Sequence, residues 1–319
     1  MRDFMTVALA CFLTLAAAHA KAADAKFTIA VFTKNTTNPA YAAFRIAADQ
    51  VARSAGARIV HYVPRKPDDV EEQIEMIEQV LKYRPDAVVF IPVDDVAMID
   101  SVKKLNAAKI PVVLASNPLP GDFVSYVGAD DFEIGYRQAR YLFDRLGGKG
   151  RIVIIEGTPA APTNRERVRG YRRALAEFPG IEVLGSGAGN YQQPDAKRLM
   201  AKFIGDFPAI DAVLSANDGM AIGALEALGE AGRTSVVIGI NGILPAVKLI
   251  ETGALLASVD FNMFKIGCTA TRAALRHLEG EPLPEKIMLP AEIIDRTNYR
   301  AWLVPVEQRS CPEWSEVVK

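Results

Sequence analysis

The sequence predicts an α/β protein made of two similar lobes, each a doubly wound parallel sheet. Apolar segments of strand length alternate along the chain with segments of helical period. The strand segments are apolar nearly throughout, as expected when helices cover both faces of a parallel sheet. The chain has 319 residues, and single cores stop growing near about 250–300 residues, so two lobes are expected rather than one wide sheet.

Each element is predicted from the spacing of its apolar residues. The strands are short β-branched runs, and the predicted ones are residues 27–33, 58–63, 87–93, 112–116, 124–128, 152–156, 182–185, 212–216, 236–240 and 256–261. The helices repeat apolar residues on one face, as in "VEEQIEMIEQVLKY" from Val70. The predicted helices are residues 40–54, 70–83, 97–107, 132–146, 165–177, 196–205, 220–230, 246–251 and 265–278.

Two segments of the chain share one pattern. "DAVVFIPVDDVAMIDSVKKLNAAKIPVVLASN" begins at Asp86, and "DAVLSANDGMAIGALEALGEAGRTSVVIGIN" begins at Asp211. Each runs strand, acidic turn, helix, alanine-rich end, strand and asparagine, although any two βαβ units share part of this. The repeat favours two similar lobes. Ligands of such sheets bind beyond the carboxyl ends of the strands, so two facing lobes would place two sets of strand ends across one cleft.

The first 23 residues are predicted to be a cleavable secretory signal peptide. Arg2 precedes an apolar stretch at 7–18, and small residues follow at a cleavage-like spacing in "AHAKAA". The stretch is too short to span a bilayer. Cys11 lies within the apolar stretch, which favours a cleaved signal over a lipoprotein.

Composition excludes several classes of function. The net charge of −1 gives no electrostatic reason to expect a nucleic-acid partner. After cleavage the cysteines are Cys268 and Cys311, for which we expect two free thiols, with a disulfide as the alternative. His61 and His277 stand far apart without neighbouring ligands, so neither a zinc site nor another cofactor is expected.

Polar side chains, asparagine above all, follow almost every predicted strand at its carboxyl end. Asparagine both donates and accepts hydrogen bonds, arginine adds a rigid fork of donors, and tyrosine adds a flat apolar face. A sugar or polyol needs this combination. Any single such residue is more often a helix N-cap, and we expect Asp95 and Asp218 to be caps. The candidate ligand-binding residues are Lys34, Asn38, Tyr41, Asp94, Ser116, Asn117, Arg167, Tyr191, Asn217, Asn241, Asp260 and Asn262.

Three motifs carry a resemblance to a known family: "TNPAY" at 37–41, "RERVRGYRRAL" at 165–175 and "ANDGMAIGALEAL" at 216–228. Over about residues 26–290 the chain resembles periplasmic sugar-binding proteins of the ribose/galactose-binding type. These are solute receptors of ABC importers with the type I, LacI-like fold. The resemblance implies roles for five residues: Asn38 in the first loop, Tyr41 and Tyr191 as aromatic walls, Arg167 on ligand hydroxyls and Asn217 in the second lobe.

The resemblance also implies an organisation and a role. Three crossings near 127–130, 259–262 and 288–292 would form a hinge. The N-terminal lobe would be 24–128 plus 262–289, and the C-terminal lobe with the tail would be 129–261 plus 290–319. The protein would be a periplasmic monomer that delivers a monosaccharide, sugar alcohol or sugar acid to an ABC permease. The alternative is a sensor of the same fold that feeds a chemoreceptor or sensor kinase.

Several positions depart from the pattern of ribose binders. Ser116-Asn117 replaces Asp-Arg, and Asn241 replaces an aspartate. The positions usually held by asparagine, glutamine and phenylalanine fall on Ile91, Phe261 and Ala40. Ribose itself is therefore not the expected ligand. Lys34 with Arg167 would suit an acidic sugar and Asp260 could restore the charge balance, whereas a surface position for Lys34 is the other interpretation.

Two other classes of function are disfavoured. "GSGAGN" at 185–190 lacks the G-x-G-x-x-G spacing of a dinucleotide site, and we interpret it as a loop. The sequence has no G-x-S-x-G elbow, so an enzyme is not expected. A transcription regulator of this fold would need a DNA-binding module at the N-terminus, where the predicted signal peptide stands.

Overall fold

The computed structural model describes residues 25–318, so the predicted signal peptide lies outside the described residues. The first of two sheets has the strand order β2-β1-β3-β4-β5-β11. Its strands are β1 (Thr28–Phe32), β2 (Arg58–Tyr62), β3 (Ala87–Phe90), β4 (Val112–Ala115), β5 (Ser125–Gly128) and β11 (Lys286–Met288). All neighbours in this sheet pair in parallel.

The second sheet repeats this arrangement with the order β7-β6-β8-β9-β10-β12. Its strands are β6 (Lys149–Glu156), β7 (Gly180–Ala188), β8 (Ala212–Ser215), β9 (Val236–Ile240), β10 (Ala257–Asp260) and β12 (Glu292–Ile294), of which only β12 is antiparallel to its neighbour. In each sheet the strand order reverses direction at one point. This point lies between β1 and β3 in the first sheet and between β6 and β8 in the second. The repeated segments contain β3–β4 and β8–β9, which hold equivalent places. The predicted fold class is confirmed.

Helices cover both faces of each sheet. Those of the first lobe are α1 (Pro39–Ser54), α2 (Val70–Tyr83), α3 (Ile99–Ala107) and α9 (Met263–Leu278). Those of the second are α4 (Asp131–Arg145), α5 (Pro162–Leu175), α6 (Gln193–Asp206), α7 (Asp218–Glu230) and α8 (Leu244–Thr252). In the described part of the chain, no helix combines the length and the apolar character that crossing a membrane requires.

Double coverage explains the continuous apolar strands. Along β1, Ile29 and Val31 belong to the core that includes Phe44 of α1. The alternate residue Phe32 belongs to a separate core that includes Ile77 of α2. Because successive side chains of a strand point to opposite faces, every position of a central strand must be apolar.

The chain passes between the two sheets three times. Residues 129–130 join β5 to α4, residues 261–262 join β10 to α9, and residues 289–291 join β11 to β12. Each crossing falls within a range predicted from the sequence. The two strands β11 and β12 were not predicted, because three-residue strands carry too little periodicity to be recognised. The "GSGAGN" segment is also more regular than predicted, since β7 continues through Ala188.

The C-terminal tail packs on both lobes. The 3₁₀ turn Tyr299–Trp302 packs on α8, the turn Val306–Gln308 packs on α1, and α10 (Trp314–Val317) packs on α9. The expectation that all of 290–319 stays with the second lobe therefore differs from the structure.

A disulfide fixes the tail in this position. Cys268 of α9 is bonded to Cys311, with a Cα–Cα distance of 5.6 Å. The expected pair of free thiols is thus wrong. The apolar helix and the tail are distant in sequence, and only the tail's return to α9 brings the two cysteines together. The tail joins the two lobes in addition to the three crossings.

We predict that Cys311→Ser lowers the free energy of unfolding by up to about 4 kcal/mol, because the disulfide closes a loop across 43 residues and restricts the unfolded chain. Urea unfolding of the oxidised protein, followed by circular dichroism, measures the difference. Dithiothreitol should lower the urea midpoint of the wild type to that of the variant, and it should leave the midpoint of the variant unchanged. Equal urea midpoints for the oxidised wild type and the variant would contradict the prediction.

Candidate ligand-binding site

A cavity lies between the lobes, where residues at the carboxyl ends of both sheets face each other. The space not filled by protein atoms there is about 420 Å³, a figure that includes solvent on the open side of the cavity. Nine of the twelve candidate residues line it: Lys34, Asn38, Tyr41, Ser116, Asn117, Arg167, Tyr191, Asn217 and Asn241. The remaining lining residues are Asn35, Ala40, Asp68, Thr163, Phe261 and Met263. The walls are therefore mainly amide, hydroxyl and aromatic, with three charged side chains.

The other three candidates lie outside the lining, and their side-chain oxygens accept hydrogen bonds from nearby donors. Asp94 Oδ1 accepts from the backbone of Val96 and Ala97 in the turn before α3. Asp260 accepts from Trp302 Nε1 at 2.7 Å and from the backbone N–H of Asn262 at 2.7 Å. Asn262 caps α9. Asp260 is thus directed to the tail, and we withdraw it as the carboxylate that balances Lys34 and Arg167.

Asp68 is the carboxylate that the sequence analysis missed. It follows β2, and it is the only acidic side chain among the described residues that line the cavity. Its Oδ1 accepts from Asn35 Nδ2 at 2.8 Å. The sequence "DD" at 68–69 follows the predicted strand 58–63, just as the other candidate residues follow their strands. This position could have identified Asp68 as a candidate.

The loop after β1 both starts a helix and faces the cavity. Asn38 caps α1, since its Oδ1 accepts from the backbone N–H of Ala40 at 3.0 Å, and Pro39 occupies the first turn. The same oxygen accepts from Asn241 Nδ2 across the cleft at 3.3 Å. Asn35 Oδ1 in turn accepts from the backbone N–H of Asn38. The loop is therefore held in place before any ligand arrives.

The floor of the cavity is a buried ion pair. Arg167 Nε donates to Asp131 Oδ1 at 2.8 Å, and Nη1 donates to the carbonyl of Ala216 at 2.9 Å. Burial raises the pKa of Asp131 to about 6, against the opposing effect of Arg167. Removing Arg167 would leave Asp131 buried without a partner, so its truncation would report on folding as well as on binding.

Close packing of α4 on α5 allows this pair to form. A Cβ atom on Gly135 would lie 2.3 Å from the carbonyl oxygen of Arg167, and one on Gly170 would lie 2.3 Å from that of Phe132. Any side chain at either glycine would push the two helices apart. Gly170 belongs to the motif that carries Arg167, so that motif encodes both the arginine and its approach to Asp131.

An aromatic wall completes the cavity. The Tyr191 ring covers Gly157, where a Cβ atom would lie 2.1 Å from the ring carbon Cζ. Its hydroxyl is 3.1 Å from Thr163 Oγ1, and burial raises the pKa of this phenol. The Arg167 guanidinium lies 5.2 Å from the centre of the Phe261 ring. The ring faces can therefore contact the C–H face of a ligand while neighbouring polar groups meet its hydroxyls.

The two expected aspartate caps are wrong. Asn217 caps α7, with its Oδ1 accepting from the backbone N–H of Met220 at 2.7 Å. Asp218 is instead buried beneath the loop of Asn241 and accepts from Ser258 Oγ and from the backbone N–H of Ile243. The other expected cap, Asp95, precedes α3 by too many residues to reach its first turn, which begins at Ile99.

Side chains of both lobes meet at the mouth of the cavity. Asp95 pairs with Arg165 of α5 at 2.5 Å, and Thr37 Oγ1 donates to Gln192 Oε1 at 3.2 Å. Together with the contact between Asn241 and Asn38, these bonds join the first lobe to the second around the cavity. These bonds hold the two lobes in contact with each other.

The model of the periplasmic binding protein domain family matches residues 29–282. The chain belongs to the periplasmic binding protein family. The fold, the interlobe cavity and the family together establish a solute-binding protein.

Named relatives agree with this assignment. The xylitol-binding protein of Mycolicibacterium smegmatis is 32% identical over 60% of this chain and 56% of its own length. The ribose import binding protein of Bacillus subtilis is 27% identical over 84% of this chain and 87% of its own. A solved ABC transporter solute-binding protein from Actinobacillus succinogenes, with bound D-allose, is 27% identical with a TM-score of 0.82, covering 86% of this chain and 100% of that one.

We predict that Asp218 makes folding less favourable as the pH rises. Burial raises its pKa to about 7, whereas an aspartate in an unfolded chain titrates near about 4. Between these values the folded state holds more protons than the unfolded state, so the free energy of unfolding falls with increasing pH. Relative to Asp218→Asn, the wild type should lose about 2 kcal/mol between pH 5 and pH 8.

Urea unfolding at both pH values measures this difference. Asp100→Asn is the matched control, because the Asp100 side chain is 84% exposed and should leave the wild-type dependence intact. Parallel pH profiles for the wild type and Asp218→Asn would contradict the prediction.

Proposed function

We propose that the protein captures a monosaccharide, sugar alcohol or sugar acid between its lobes in the periplasm and delivers it to an ABC permease. The observation that carries this proposal is the lining of the cavity. Both lobes supply amides, hydroxyls and aromatic faces to one cavity between them. This is the combination that a molecule with apolar C–H faces and a rim of hydroxyls requires.

The geometry supports capture by closure. Asn38, Ser116 and Lys34 come from the first lobe, while Arg167, Tyr191 and Asn217 come from the second. A ligand can touch both sets only when the lobes meet. It therefore binds the closed state more tightly than the open one and shifts the equilibrium toward closure. A permease can then distinguish the loaded receptor from the empty one by its shape.

The relatives support the ligand class without naming the ligand. Xylitol, ribose and D-allose, which occur in the names of the three relatives, are all small and polyhydroxylated. The set of polar groups in this cavity differs from the ribose-binder pattern, with Ser116, Asn117 and Asn241 in place of charged side chains. Asp68 supplies a carboxylate from a different strand exit.

A role without catalysis is also part of the proposal. The three relatives are binding proteins by name. The proposal includes export, which the predicted signal peptide supports, and a monomeric state, which the family resemblance supports.

A thermal-shift screen of the chain from Asp24 against pentoses, hexoses, polyols and sugar acids tests the function. A ligand at 100 times its dissociation constant stabilises by roughly 2.7 kcal/mol, which raises the melting temperature by a few degrees. At least one compound should do so and should bind with one-to-one stoichiometry in calorimetry. No shift with any compound would contradict the proposed ligand class.

For a compound found in this way, we predict that Tyr191→Ala weakens binding at least tenfold. The ring buries apolar area against the ligand, and about 1.4 kcal/mol of lost contact corresponds to a factor of ten. Tyr83→Ala is the control, because Tyr83 is 47% exposed and lies away from the cavity. Equal affinity for both variants, measured by calorimetry, would exclude Tyr191 from the site.

The interlobe ion pair gives a separate test of closure. Arg165 does not touch the ligand, but Arg165→Ala should weaken binding by up to about fivefold, because a partly exposed pair contributes up to about 1 kcal/mol to the closed state. Arg169→Ala is the matched control, since Arg169 pairs with Glu166 within α5. Stopped-flow dissociation should be faster only for Arg165→Ala. An identical loss of ligand affinity in both variants would show that the pair between Arg165 and Asp95 does not act through closure.

A further inference from the structure

Lys34 is a buried cation directed into the cavity. It follows β1, is 2% exposed and lines the cavity wall. Its Nζ atom lies 5.9 Å from the centre of the Tyr191 ring, on the opposite lobe. Among the residues that the structure describes, Nζ has neither a hydrogen-bond acceptor nor a carboxylate within ion-pair distance. The interpretation of Lys34 as a surface residue is therefore wrong.

The other charges near the cavity have partners. Arg167 is neutralised by Asp131 and also donates to a backbone carbonyl. Asp68 accepts from the Asn35 amide, and its backbone N–H donates to the Lys34 carbonyl, so its position is fixed beside the lysine without pairing with it. Of the two cations that line the cavity, Lys34 is thus the one that forms no ion pair with a described residue.

The ammonium of Lys34 faces the cavity, where a bound ligand displaces the water around it. That loss of hydration is unfavourable unless the ligand supplies a compensating interaction. Proteins keep such groups where a ligand supplies the interaction. A hydroxyl oxygen can accept one hydrogen bond from the ammonium, but only an anionic group also neutralises its charge. A charge-assisted hydrogen bond is about twice as strong as a neutral one.

We propose that Lys34 selects a polyhydroxylated carboxylic acid, the ligand's carboxylate pairing with Lys34 while its hydroxyls meet the amides and Asp68. This inference rests on the proposed function and narrows its ligand class. Asp68 keeps its place in this arrangement, because a carboxylate fixed by Asn35 can accept hydroxyl hydrogens from the other end of the ligand. The aromatic wall and the Arg167 pair serve any member of the class, whereas Lys34 distinguishes the acid from the neutral compound.

Calorimetry with matched pairs of compounds tests the inference: ribonate with ribitol, gluconate with sorbitol, and glucuronate with glucose. In at least one pair the acid should bind at least tenfold more tightly than its neutral counterpart. Lys34→Met should remove this preference. The affinity for the acid should fall at least tenfold, and the affinity for the neutral compound should fall by less than threefold. Lys66→Met is the control, because the Lys66 side chain is 79% exposed and pairs with Asp69 at the surface.

A measurement without ligand separates folding from binding. The melting temperature of ligand-free Lys34→Met should stay close to that of the wild type, since Lys34 forms no ion pair that the substitution would break. If the variant no longer binds the acid but keeps its melting temperature, the substitution has removed a ligand contact without disturbing the fold.

Other outcomes overturn the inference in distinguishable ways. If neutral compounds bind as tightly as acids, or if Lys34→Met weakens both equally, Lys34 only donates to a hydroxyl and the proposed function stands. If none of the six compounds binds, but the wider panel of neutral sugars does, the acid class is excluded. If nothing in either panel binds, both the inference and the proposed function fail.

Discussion

The ion pair between Arg167 and Asp131 is the interaction on which the site depends. Asp131 is the first residue of α4, directly after the first crossing between the lobes, and Arg167 reaches it from α5. The same guanidinium bonds the carbonyl of Ala216, at the end of β8. One side chain therefore joins the hinge, a helix and a strand exit beneath the cavity. The glycines at the contact of α4 with α5 permit this geometry, so helix packing and ligand site are set together.

The sequence predicted the architecture, and it predicted most of the polar residues that line the cavity, because both follow from chain order. Strands covered on two faces must be apolar throughout, and parallel strands direct their carboxyl ends to one edge. The polar residues after β1, β4, β8 and β9 therefore had to gather at two facing edges. The motifs around Asn38, Arg167 and Asn217 implied a ligand-binding role for each of these residues. All three line the cavity.

The missed features depend on competition between local partners, which spacing does not reveal. Asp260 follows a strand like the residues that line the cavity, but the indole of Trp302 and a backbone N–H occupy its oxygens. The indole is available only because the tail, whose sequence has no clear periodicity, turns back across the lobes. The same path brings Cys311 to Cys268. Asp68 lies several residues beyond the end of β2, and only the path of that loop brings its carboxylate to the cavity.

The central claim is that the two lobes close on one polyhydroxylated molecule held between them. Small-angle X-ray scattering of the chain from Asp24 tests it most directly, with and without the compound that stabilises the protein most strongly. The account predicts that saturating ligand lowers the radius of gyration and that the change follows the binding isotherm measured by calorimetry. A radius of gyration that stays constant while the compound binds would contradict closure around the ligand and would place the bound molecule outside the interlobe cavity.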